Sequence, residues 1–389
     1  MLRNLTSVLL FLACGVAAQT DIHGFGSVRA GKMLPKGENP KLVDMYASDG
    51  LIWRDETLFA LQTTTDLQDS LRVTLQMMAK GSDDFSAKMS LAFLSYQLNP
   101  DMQINFGRIA NPLFAQSDFQ YVRYAHDYAR LPKAVYWNFD FETIEGLSFE
   151  HKATVKDFAV KYRLITGDFS GKTFKSVRPE GVPIKMHNII NGYLELSRDY
   201  WTVFGGAMQA DGDGTAIDEQ LIFPVVLPAL ANVNASPAEK QQLLDTLSMS
   251  KRARYYYFGG RLQFGDWKIE GEKTNYGILN SADPRNTAHY LAVSRRFDPF
   301  ILTYHHEWSM QDINDLGFLR DISHPALRQI GTQVYQRLAT PNRFSMDVLT
   351  LRYDLQPGVS FKIDYMQGRD RQPKVDEFRG FSFGLDFVF

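Results

Sequence analysis

The sequence predicts an all-β fold, a transmembrane antiparallel β-barrel of about sixteen strands with long external loops and short periplasmic turns. Three observations predict it: apolar and polar residues alternate with a period of two along most of the chain, the connections between these runs alternate in length, and no later apolar stretch reaches the ~20 residues a membrane helix needs. A net charge of -2 with dispersed acids and bases excludes a polyanion such as nucleic acid as the expected partner.

The N-terminal residues read as a segment apart. Arg3, the apolar run Leu5 to Val16 and the small residues Ala17 and Ala18 describe a secretory signal over 1–18, which leaves 19–389 as one barrel domain. The single cysteine, Cys14, falls inside that signal, so the expected mature chain carries no disulfide. Acylation of Cys14 is the alternative, and Phe11 and Leu12 fit a lipobox poorly.

Alternation is clearest at the end, where Phe381, Phe383, Leu385, Phe387 and Phe389 oppose Ser382, Gly384 and Asp386. Val359, Phe361, Ile363 and Tyr365 oppose Ser360, Lys362 and Asp364, and Leu349, Leu351, Tyr353 and Leu355 oppose Thr350, Arg352 and Asp354. Earlier, Leu71, Val73, Leu75 and Met77 face away from Arg72, Thr74 and Gln76, and Phe158, Val160, Tyr162 and Leu164 from Lys161 and Arg163. Strands are expected near 22–31, 57–66, 70–80, 88–98, 102–109, 143–152, 156–167, 187–198, 201–211, 252–264, 267–276, 287–297, 300–309, 344–355, 359–367 and 379–389.

A soluble sandwich would also alternate. Connection lengths decide against it. Tight links hold Leu67 to Asp69, Asn99 to Asp101, Ala153 to Val155, Asp199 to Tyr200, Gly265 to Asp266, Asp298 to Pro299 and Gln356 to Gly358. Between them fall the long ones, Lys32 to Glu56, Ala110 to Glu142, Asp168 to Met186, Gly212 to Lys251 and Met310 to Arg343. Long loops on one rim and tight turns on the other are the pattern of a membrane barrel. Ala238 to Leu247 and His324 to Arg337 lack strand alternation and are expected to be short helices decorating two loops. Tyr200, Trp201, Trp267 and Trp308 suit interfacial aromatic girdles.

Inward parity gathers Arg72, Lys161, Arg163, Arg352 and Lys362 with Glu150, Glu195, Glu270, Glu307, Asp354 and Asp364 on the expected pore wall. Lipid alone dictates that direction, because Arg or Lys on the outer face costs ~2–4 kcal/mol at the bilayer midplane. The Ala110 to Glu142 loop carries Asp118, Arg123, Asp127, Arg130, Lys133 and Asp140. Folded into the lumen these would set a transverse field that sorts permeants by charge, whereas on the surface they would form weak ion pairs.

His305, His306, Glu307 and Ser309 invite a hydrolase or metal reading. Strand parity separates the two histidines, and His305 and Ser309 stand roughly 13 Å apart along a strand, so no catalytic or metal site is expected. The Asp211 to Gly214 run lacks the further ligands of a calcium loop and reads as a turn.

The closing GFSFGLDFVF and the segment GRIANPLFAQSDFQYVRYAHDYARLPKAVY from Gly107 to Tyr136 resemble the Gram-negative outer-membrane porins. The resemblance implies that Phe389 is read by the barrel-assembly machinery and that the third loop, following the fifth strand, folds inward and narrows the pore. It further implies a homotrimer among outer-membrane lipid and lipopolysaccharide, and a water-filled channel for passive diffusion of small hydrophilic solutes and ions, with no cofactor. The acidic Pro-Glu-Phe type of loop signature is absent, so the constriction chemistry of general porins does not carry over. A channel selective for anions or small nutrients is the alternative; an outer-membrane barrel enzyme and a surface adhesin or phage receptor are more distant ones.

Overall fold

Sixteen antiparallel strands close on themselves into a single barrel, each paired with its sequence neighbours and the first with the last. The computed structural model describes residues 19–34, 46, 50–136, 141–173, 181–281, 283–312, 316–338, 342–371 and 375–389. The expected signal over 1–18 and the loop residue Asp140 lie outside them. The strands are β1 Thr20–Leu34, β2 Leu58–Gln68, β3 Leu71–Lys80, β4 Lys88–Asn99, β5 Met102–Ala110, β6 Thr143–Val155, β7 Phe158–Thr173 and β8 Val182–Arg198. There follow β9 Trp201–Asp213, β10 Arg252–Phe264, β11 Trp267–Ile278, β12 Arg285–Phe297, β13 Phe300–Asp312, β14 Arg343–Gln356, β15 Val359–Arg371 and β16 Val375–Val388.

Closure leaves the membrane band no sheet edge, which hydrocarbon forbids because an unpaired backbone group has no water to turn to. Phe25 to Leu34 of β1 pair with Val388 back to Arg379, and Phe389 exchanges two 2.9 Å backbone hydrogen bonds with Gly24. Its ring lies over Gly24, where a Cβ would come within 2.1 Å of a ring atom, so any larger residue there would push the Phe389 ring aside.

All sixteen expected strands are present, and their turn ends lie within a few residues of expectation. The loop ends run further. β7 extends to Thr173 rather than 167, β8 starts at Val182 rather than 187, and β16 starts at Val375 rather than 379. Above the hydrocarbon both strand faces meet water, so the outward positions carry charge and the alternation fades. Ion pairs Arg108–Glu145 (2.9 Å), His187–Asp168 (3.3 Å), Arg252–Asp211 (3.0 Å) and Arg369–Glu377 (3.1 Å) mark that outward rim.

The loop helices correct the expectation of decoration. Pro237–Leu247, started by a capping box of Ser236 and Glu239, and Pro325–Leu338 form where the alternation lapsed, and a further helix, Phe223–Ala231, joins them. Their Val226, Leu230, Leu243, Leu247, Leu327 and Tyr335 are buried in one cluster with inward side chains of the upper wall, Ala253, Tyr255, Ile278, Phe344 and Met346. The third loop contributes Leu113, Phe114, Val135 and Tyr136 to the same cluster. The inner face is therefore polar low in the barrel and apolar high on the β8 to β14 side.

Candidate functional site: the inward third loop and the wall it leaves open

The loop after β5 crosses the barrel interior and is fastened by its own backbone. A chain that leaves the sheet must place its N–H and C=O groups elsewhere, and the wall supplies partners. Lys362 of β15, fully buried, donates to the carbonyls of Arg123 (2.6 Å), His126 (2.7 Å) and Tyr128 (3.0 Å). Arg352 of β14 donates to those of Tyr124 (2.8 Å) and His126 (3.0 Å), and Tyr257 of β10 to that of Pro112 (3.0 Å). Glu307 of β13 accepts the Ala134 N–H at 2.5 Å, at the start of the short helix Lys133–Tyr136, and Glu272 of β11 accepts the Tyr136 hydroxyl at 2.9 Å.

Arg130 is the centre of a buried charge cluster. Its guanidinium donates to Glu56 through Nε (3.0 Å) and Nη2 (3.2 Å), donates to Ser382 (2.7 Å) and pairs with Asp364 (3.1 Å). Arg123 donates to the Glu56 carbonyl (2.8 Å), and Tyr46 donates its hydroxyl to the Glu56 carboxylate. Beside them Asp386 of β16 binds Arg29 of β1 (3.1 Å), Lys362 (3.1 Å) and Ser27 (2.7 Å). Burial would raise the Glu56 carboxyl, but Arg130, Arg123 and Arg29 outweigh it and hold it below its usual range. Burial lowers Arg130 in turn, and Asp364 with Glu56 overcomes that and leaves it more firmly protonated than a free arginine.

The expected loop charges therefore divide. Arg123 and Arg130 lie in the buried cluster, and Asp127 pairs with Lys268 at 2.5 Å. Asp118 receives two 2.8 Å hydrogen bonds from Arg163 of β7, and Lys133 lies 6.0 Å from the Phe344 ring centre. Of the expected wall cations, Arg352 and Lys362 hold the loop, while Arg163 and Lys161 meet Glu150 at 2.8 and 3.5 Å. Arg72 pairs with Asp66 (2.6 Å) near the β2–β3 turn, where both are exposed.

His305 and His306 point to opposite faces. His305 is fully buried, edge-on to Tyr128 and 3.5 Å from Glu307, whereas His306 faces outward and meets Asp347 at 2.8 Å. Sequence reasoning missed Glu56 as a loop anchor, Arg29 as a member of the charge cluster beside it, and His126, whose ring bonds within the loop. Arg29 had a signal, since it sits at an inward position of an expected strand. Glu56 had none, because it precedes β2 and its partner lies 74 residues away.

Across from β13 to β16 the loop also touches β2 and β3, where Tyr121 and Val122 pack against Leu58, Ala60 and Met78 and Lys80 donates to the Tyr121 hydroxyl (2.6 Å); beyond that contact β2 to β6 are only partly covered. Gln62, Ser90, Gln97, Gln103 and Asn105 remain half-buried, against complete burial for Lys362, Ser382, Asp386, His305 and Glu307. A cavity of ≈ 160 Å³ separates Gln76 and Ser90 from the loop at Ser117 to Val122. A second of ≈ 240 Å³ lies on the other side of Ser117 to Phe119, against Lys161, Arg163, Glu195, Thr202 and Arg261.

These features define a class: a closed sixteen-stranded barrel with an inward-folded third loop. Neither a protein-family model nor any characterised protein sequence matches the chain. Solved structures do. OmpF of Salmonella typhi aligns with 96% of this chain and 98% of its own, at TM-score 0.57 and 9% identity. An anion-selective porin from Comamonas acidovorans covers 96% and 100% at 0.56 and 12%, and the outer membrane channel DcaP of Acinetobacter baumannii 96% and 97% at 0.55 and 11%. The chain has the fold of the Gram-negative outer-membrane porins.

Proposed function

We propose that this protein is an outer-membrane channel through which small hydrophilic solutes diffuse passively, along the side of the barrel that the third loop leaves open. One observation carries the reading: a loop held inside the barrel by buried charge leaves cavities of ≈ 160 and ≈ 240 Å³ between itself and polar side chains of the wall. The apolar outward band supports residence in lipid, with Leu61, Phe106, Leu164, Phe258, Leu291 and Leu349 each about half exposed. Export by the 1–18 signal, assembly through Phe389, contact with lipopolysaccharide and a homotrimeric state belong to the same reading.

The channel reading is non-enzymatic. His305 lies behind Tyr128 with no exposed surface, which argues against its meeting a lipid or peptide substrate. The test is conductance of the purified protein in planar bilayers. Discrete, ohmic openings are expected, and lipid or peptide hydrolysis abolished by His305→Ala would replace this reading with an enzyme.

A further inference from the structure

At the height of the loop the open side carries two neutral runs set between matched ion pairs. Gln76 donates to Gln62 (2.9 Å) and Ser90 to Gln76 (2.8 Å). Further round, Ser95 donates to Asn105 (2.7 Å), Gln103 to the same oxygen (2.6 Å), and Asn105 to Ser148 (2.9 Å). These are two short runs of amides and hydroxyls on adjacent strands, with no ionisable side chain within either.

The charges around them are matched. Lys80 meets Glu142 (3.6 Å) and Lys88 meets Asp83 (2.8 Å) towards the loops. Towards the turns Arg72 meets Asp66 (2.6 Å) with Asp21 nearby, Arg163 is shared by Asp118 and Glu150 (2.8 Å each), and Arg261 meets Glu270 (3.0 Å). A cation held this close to an acid gives little net field to a passing ion. What remains is hydrogen bonding. Among the described residues the Gln62 side-chain N–H2 has no protein acceptor and the Gln103 side-chain oxygen has no protein donor. A spare donor and a spare acceptor on one wall suit groups that both give and take a hydrogen bond, which hydroxyls do and carboxylates or ammoniums do not.

Resting on the channel reading above, we infer that the amide and hydroxyl runs of β2 to β6 form a track for uncharged polyhydroxylated solutes. Solutes exchange hydration for these side chains as they pass Ser117 to Tyr121, at small cost because each lost water bond is replaced. An ion meets there only charges already matched by a partner, which offset little of its desolvation penalty.

The experiment uses the full-length protein in liposomes and planar bilayers, with mannitol, gluconate and glucosamine as probes of similar size. Mannitol is expected to enter about threefold faster than either charged probe, and the reversal potential in a KCl gradient to stay near zero. Gln76→Glu and Asn105→Asp, near-isosteric changes that place a charge on each run, should each shift the reversal potential towards cation preference while conductance persists. Faster entry of gluconate or glucosamine, or unmoved reversal potentials in both variants, overturns the track. Absence of any conductance overturns the channel itself, and is thereby distinct from failure of the track alone.

Discussion

Two halves of one wall, built by the same alternation, end in opposite states. On β11 to β16 the inward polar residues are sealed: Glu307, Lys362, Ser382 and Asp386 have no exposed surface, because the third loop lies on them. On β2 to β6 Gln62, Ser90, Gln97, Gln103 and Asn105 are half open to water, while Thr74, Gln76, Ser95 and Ser148 are buried. Charge is buried where the loop is gripped, and on the open side it stands in matched pairs such as Lys80–Glu142 and Arg163–Glu150. Alternation tells which side chains point inward; it does not tell whether they meet water or protein.

The sharpest way to break the contrast is to remove the centre of the grip. Arg130→Met leaves Glu56 and Asp364 buried without their shared cation, a change that costs about 3–5 kcal/mol in such settings. The loop should detach from β15 and β16, and single-channel conductance should rise with increased flicker. Arg72→Met is the control on the other half. Its pair with Asp66 is exposed on both sides and worth about 0–1 kcal/mol, so conductance should hardly change. Equal effects from the two substitutions would abolish the distinction between halves.

The apolar upper seam is the next target. Leu243 of the Pro237–Leu247 helix is fully buried in the cluster that joins loop helices to Tyr255 and Phe344. Leu243→Ala should cost about 2–5 kcal/mol of local packing. Faster cleavage of the 212–251 loop by trypsin on intact vesicles is expected, with barrel strands still protected.

Much of this architecture was legible beforehand, and the reason is lipid. Hydrocarbon demands an apolar residue at every second position, so Leu349 to Leu355 and Phe381 to Phe389 announced their strands and their outward faces. Asp298 to Pro299 and Gly265 to Asp266 announced turns. The grip was not legible, because Glu56, Arg130, Asp364 and Asp386 come from distant parts of the chain and local pattern carries no distance information. Nor was the sealed upper seam. Tyr255 and Met346 sit at inward positions where a water-filled lumen would call for polar groups, a departure that marks packing against a loop.

Acid offers a graded test of the grip without mutation. His126 is buried in the third loop, donates a ring N–H to the Phe119 carbonyl (3.1 Å) and stacks near that ring. Burial, with Lys362 and Lys268 nearby, pushes its imidazole down to about 3. A depressed value favours the folded loop above the ordinary histidine range, and that stabilisation is lost as pH falls from about 6.5 towards 3. Conductance should change over that window in wild type, and His126→Gln should flatten the change.

A small shift in ion preference is expected from the lower vestibule on the open half. Lys161 is about one-third exposed and faces Glu150 at 3.5 Å, but Glu150 is also held by Arg163 at 2.8 Å and by Lys152 at 3.4 Å. Lys161→Met removes one cation from a shared set, so the carboxylate stays largely compensated. The reversal potential should move slightly towards cation preference. Screening fixes the salt dependence: with a Debye length of about 10 Å at 0.1 M and about 30 Å at 0.01 M, the shift should grow on dilution. A shift that is large already at high salt would mean that Lys161 stands alone in the narrowest passage, and the open half would then be a charged filter rather than a neutral wall.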